Sequence, residues 1–188
     1  MRKINYIVVH CSATREGCTL TSEVLEAEHR RRGFRTTGYH YYIRRDGTVL
    51  GTRSLELPGA HCRGHNKYSI GICYEGGLDA RGNPKDTRTP EQRSALHLLV
   101  YQLLQQFRNA RVCGHRDLSP DLDGDGTVEP WEWVKQCPCF EVVKNFKTII
   151  LKHGIMKISK ETWKDILKIV GTIIATIASV LGVQAMPL

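Results

Sequence analysis

The chain has 188 residues, with 27 Lys and Arg against 19 Asp and Glu for a formal charge of +8, and 41% hydrophobic and 24% charged residues. Those proportions are close to globular averages, so they exclude a disordered or collagen-like chain and leave room for one domain of ordinary size plus an appendage. Half of the charge (+4) is spread over residues 1–140 and half is packed into residues 141–188. No Lys/Arg block is interleaved with aromatics, so the charge does not read as a nucleic-acid footprint.

The first strand is expected at residues 4–9, ending in the polar cluster His10-Cys-Ser-Ala-Thr14. A helix follows at about 21–32, with Thr21 as N-cap and Gly33 as its stop. Residues 39–44 and 49–53 flank Arg45-Asp-Gly-Thr48, and Asp-Gly between two β-type runs predicts a hairpin. The Gly- and His-rich stretch 58–67 reads as loop, and 69–74 as a strand stopped by Gly76-Gly77. Thr89-Pro-Glu-Gln92 carries a capping box with Pro at the first helical position. Apolar residues at 96, 99, 100, 103, 104 and 107 then give the helix one buried face. A short strand at 111–113 leads to Gly114-His115, and a helix near 140–151 closes the domain. Strands interleaved with helices predict an α/β fold with a mixed central β-sheet flanked by helices.

Seven cysteines, an odd number at irregular spacing, fit buried thiols or metal ligands in a reducing compartment better than a disulfide framework. The N-terminus enters a strand at once and has no apolar run ending in a small-residue cleavage site. Synthesis in the cytoplasm without a signal peptide is therefore expected.

His10 and His115 adjoin strand ends and Cys137 opens Cys-Pro-Cys. Two imidazoles and one thiolate make a zinc site with a fourth position open for water, the catalytic arrangement. A closed structural site from Cys113-x-His115 and Cys137-x-Cys139 competes, although its one-residue spacers are tighter than usual. Cys139 also competes with Cys137 as the thiolate ligand.

Five segments then carry a resemblance. Ile7-Val-Val-His-Cys-Ser-Ala-Thr14, Gly38-Tyr-His-Tyr-Tyr-Ile-Arg-Arg-Asp-Gly47, Asn66-Lys-Tyr-Ser-Ile-Gly-Ile-Cys73, Gly114-His115 and Lys135-Gln-Cys-Pro-Cys-Phe140 resemble, in order and over about residues 2–150, a known family. It is the bacteriophage-lysozyme type of zinc N-acetylmuramoyl-L-alanine amidase, which shares its fold with the peptidoglycan-recognition proteins. The resemblance implies zinc held by His10, His115 and Cys137, with Tyr39 and Lys135 as catalytic residues. It also implies hydrolysis of the amide between N-acetylmuramic acid and L-alanine in peptidoglycan, the cell-wall polymer of a phage host. His61, Asn66 and Ser69 match further positions and are expected to line the substrate groove. A non-catalytic peptidoglycan-recognition module, or one that regulates another protein, is the rival reading on the same fold. A ligand Cys at 137 speaks for catalysis.

Two segments depart from that pattern. Counted from Asp121, acids fall at loop positions 1, 3, 5, 9 and 12 and Gly126 at 6, the ligand spacing of an EF-hand. Calcium would be held by Asp121, Asp123, Asp125, the Thr127 carbonyl and Glu132, with an exiting helix over 129–135. The domain is expected over residues 1–153. Residues 154–188 form a Lys-rich linker and an apolar C-terminal helix, whose 169–188 stretch carries no charged side chain. Slightly short of the ~20 apolar residues of a spanning helix, that stretch suggests membrane association.

Overall fold

The computed structural model describes residues 2–155. Backbone contacts divide the chain into Met1–Ile150 and Leu151–Leu188, and the architecture below is that of the first unit. The apolar C-terminal helix expected after residue 154 and its membrane association lie outside the described residues. Among the described residues no helix is long and apolar enough to cross a membrane.

Among the described residues, seven strands and three α-helices follow one another as β1 (Tyr6–Cys11), β2 (Thr14–Arg15), α1 (Ser22–Arg31), β3 (Tyr41–Ile43), β4 (Val49–Gly51), β5 (Ser69–Tyr74), β6 (Gly77–Leu78), α2 (Pro90–Gln106), β7 (Arg111–Gly114) and α3 (Val142–Ile155). Five strands form one mixed sheet in the order β4-β3-β5-β1-β7, and β2 pairs with β6 in a second, two-stranded sheet. In the main sheet only β3–β4 is antiparallel. That pair is the hairpin expected from Asp46-Gly47, with Gly47 at φ +83° and the Asp46 carboxylate accepting from the Thr48 N–H at 2.9 Å.

β1 and β5 are apolar almost throughout because parallel strands are covered on both faces. Their alternation sorts the two sides. Ile7, Val9, Ile70, Ile72 and Tyr74 join Ile43 and Val112 in a core with α2 and the start of α3. Leu25 of α1 packs with Tyr42 and Cys73 in a smaller cluster, with Tyr39 at its edge.

The capping box is formed. Thr89 Oγ1 accepts from the Gln92 N–H at 3.0 Å and Gln92 Oε1 accepts from the Thr89 N–H at 3.1 Å. The same carboxamide donates to the carbonyls of Ile43 (3.2 Å) and Glu75 (2.9 Å), so the residue that starts α2 also ties it to two strands.

Two local expectations shift. β1 runs on to Cys11 instead of stopping at Val9, because His10 and Cys11 pair with Cys73 and Tyr74 of β5. Residues 129–135 form only a 3-10 turn, Pro130–Glu132, with Trp133 extended. Glu132 there accepts from the N–H groups of Leu122 and Glu129, which fastens the turn to the preceding loop and not to a continuing helix. Replacing the fully buried Leu96 by Ala should cost about 2–5 kcal/mol in urea unfolding, whereas the exposed Leu98→Ala should stay within about 0.5 kcal/mol of the parent.

Candidate metal centre

β1 and β7 are parallel neighbours with Val9 opposite Gly114, so the next residue along each strand is a histidine at the same end of the sheet. The His115 N–H donates to the Val9 carbonyl at 3.1 Å, which continues the ladder one step past β7. Cys137 reaches this point from the loop before α3. The Arg116 N–H donates to the Cys137 carbonyl (2.9 Å), the Cys11 N–H donates to Cys137 Sγ (3.3 Å), and the Tyr74 hydroxyl donates to the Pro138 carbonyl (2.7 Å). Gly114 permits the approach, since a Cβ there would lie 2.6 Å from Pro138 Cδ.

The result is one nitrogen from each of His10 and His115 and the sulfur of Cys137, all within 4.8 Å of one another. His10 Nδ1 lies 3.7 Å from Cys137 Sγ. Tetrahedral coordination with Zn–N of ~2.0–2.1 Å and Zn–S of ~2.3 Å separates such atoms by about 3.5 Å, so the donor set and its spacing fit zinc. Burial, helped by the neighbouring His61, His115 and Lys135, pushes the His10 pKa well below its usual value and keeps the imidazole in the neutral, ligating form.

Cys139 turns elsewhere. It sits at φ +68°, donates to the Gly77 carbonyl at 3.3 Å and lies 3.9 Å from Cys11 Sγ. Neither Cys139 nor Cys113 belongs to the three-residue group, so the geometry favours the open three-ligand arrangement over the closed one.

Tyr39 lies just before β3, its ring centroid 5.2 Å from that of His10. Burial raises its phenol pKa well above the usual value, which only widens the range over which the phenol is protonated. Lys135 is exposed and lines a cavity of about 500 Å³ together with Arg63, His65, Ser119 and His115, the one member of the three-residue group on its wall.

None of the three residues expected in the groove is among those lining this cavity. Ser69 is fully buried, and Asn66 Oδ1 accepts from the N–H groups of His61 and Cys62 at 2.8 and 2.9 Å. His61 contacts His10, with Nδ1 2.9 Å from His10 Nε2 and Nε2 3.2 Å from Ser69 Oγ. Its pKa falls to about 3, chiefly by burial, so the ring is neutral. Arg63 and His65, which do line the cavity, carry no motif that singles them out in the sequence.

In the acidic loop, Asp121 accepts from the N–H groups of Gly124 (2.7 Å) and Gly126 (2.8 Å), and Asp125 from that of Thr127 (2.7 Å). Carboxylates gather as Asp121, Asp123 and Glu132, and as Asp123, Asp125 and Glu129. The internal hydrogen bonds account for the loop's shape.

Residues 1–138 match the family described as N-acetylmuramoyl-L-alanine amidase. The chain belongs to that family. It is 36% identical over 140 residues to the endolysin of Enterobacteria phage K11, covering 74% of this chain and 83% of that protein. It is also 29% identical over 120 residues to a peptidoglycan-recognition protein of Drosophila melanogaster, covering 61% of this chain and 65% of that one. Among solved structures, the N-acetylmuramoyl-L-alanine amidase LysC from Clostridium intestinale superposes with a TM-score of 0.60 at 26% identity, over 80% of this chain and 85% of that one. The mixed sheet with flanking helices is thus the amidase and peptidoglycan-recognition fold.

Tyr74 holds the ligand loop of this amidase-family chain through one buried hydrogen bond. Tyr74→Phe should therefore cost about 1–3 kcal/mol in urea unfolding, because the Pro138 carbonyl loses its donor.

Proposed function

We propose that this chain is a zinc-dependent amidase of peptidoglycan that hydrolyses the bond between the lactyl group of N-acetylmuramic acid and the L-alanine of the stem peptide. The observation that carries the reading is the convergence of His10, His115 and Cys137, with His115 and Lys135 lining one cavity. Membership of the amidase family and the likeness to phage endolysins support the substrate class.

Zinc held by these three side chains would supply an activated water and a Lewis acid for the scissile carbonyl. The remaining work falls to the protein. The Lys135 ammonium at the cavity wall stabilises the negative charge that develops on the carbonyl oxygen. The Tyr39 phenol, protonated at neutral pH and with its ring against His10, is the proton donor for the leaving amine. Arg63 adds a second positive charge to the wall, which suits a substrate peptide bearing carboxylates. Water enters the amide, and a muramoyl carboxylate and a free L-alanine amine leave.

The likeness to peptidoglycan-recognition proteins keeps binding without hydrolysis as the second reading. The two separate on one assay. Purified protein incubated with peptidoglycan should release L-alanine-led peptides detected by mass spectrometry, a chelator should stop the release, and added zinc should restore it. Cys137→Ser should fall to background, and Lys135→Ala should lose roughly 10²–10³-fold in turnover, the usual cost of one such charge stabiliser. Binding of peptidoglycan with no release under any metal condition would favour the recognition reading.

A further inference from the structure

His61 has a use beyond filling space. A ligating imidazole must offer a lone pair at one nitrogen and carry its hydrogen on the other, and the partner of that hydrogen decides the tautomer. His10 faces Cys137 Sγ with Nδ1 (3.7 Å) and His61 Nδ1 with Nε2 (2.9 Å).

We propose that His61 is a positioning residue: its Nδ1 accepts the Nε2–H of His10 and so keeps His10 Nδ1 free to ligate zinc. The hydrogen of His61 then lies on Nε2, facing Ser69 Oγ at 3.2 Å. In the opposite arrangement His61 donates from Nδ1, and the hydrogen of His10 falls on the ligating atom.

The surroundings hold the His61 ring for this task. Asn66 Oδ1 anchors the backbone at 61 and 62. Two glycines leave room for the ring. A Cβ at Gly59 would lie 2.4 Å from His61 Cδ2, and one at Gly71 would lie 2.5 Å from the same atom. Gly71 pairs with Val8, two steps before His10 pairs with Cys73, so the sheet register itself sets the slot beside His10.

This inference rests on the zinc reading above, and its test reads metal affinity instead of turnover. Zinc affinity of the full chain is measured by competition with a chromophoric chelator. His61→Phe, which keeps bulk but removes the acceptor, should weaken zinc about 10–100-fold, whereas His61→Asn, whose Oδ1 stands near the lost Nδ1, should stay within about threefold. Ser69→Ala should weaken it less than His61→Phe does, and it carries the test if His61→Phe does not fold. A parent that binds zinc while His61→Phe is unchanged, or while His61→Asn is as weak as His61→Phe, overturns the positioning role and leaves the metal reading intact. So does an unchanged Ser69→Ala where His61→Phe fails to fold. A parent that binds no zinc overturns both.

Discussion

The parallel pairing of β1 with β5 on one side and β7 on the other is the constraint on which the rest of the site depends. Parallel neighbours bring equivalent strand ends to one edge of a sheet, and here those ends carry His10 and His115. Val9 opposite Gly114 sets the register, and a slip of one residue would turn His10 to the other face of the sheet. Nothing local to either histidine does this. It follows from two apolar strands that are stable only when both faces are covered, by the core around α2 and α3 on one side and by the α1 cluster on the other.

That constraint also explains why the site is partly buried. His10 sits inside β1, not beyond it, so its ring is surrounded by Tyr39, His61 and His115. Low dielectric makes a charged imidazole costly and a neutral one the stable form, which suits metal ligation. The third residue of the group, Cys137, comes from a loop, and the loop is fixed where a loop usually is not. Tyr74 from the central strand β5 holds the Pro138 carbonyl, and the missing side chain at Gly114 admits the proline ring.

Much of this was legible in the sequence because the signals are local. Asp46-Gly47 between β-type runs gives the hairpin, and Thr89 with Gln92 gives the start of α2. His10, His115 and Cys137 stand out because each sits in a short motif beside a strand end or a proline. The contact of His61 with His10 spans 51 residues and depends on two glycines whose purpose only packing reveals. Only packing, likewise, shows that His61 Nε2 meets Ser69 Oγ and that Asn66 Oδ1 takes the N–H groups of residues 61 and 62. The 129–135 segment departs in the opposite way: where its spacing predicts a helix, only a 3-10 turn forms, and Glu132 accepts from the N–H groups of Leu122 and Glu129.

The central claim is that three residues from distant parts of the chain hold one zinc and that Cys137, not Cys139, is the thiolate. Metal content of purified protein, measured by elemental analysis for the parent, Cys137→Ala and Cys139→Ala, tests it most directly. The account predicts one zinc per chain in the parent and in Cys139→Ala, and almost none in Cys137→Ala. Zinc retained by Cys137→Ala and lost from Cys139→Ala would contradict it.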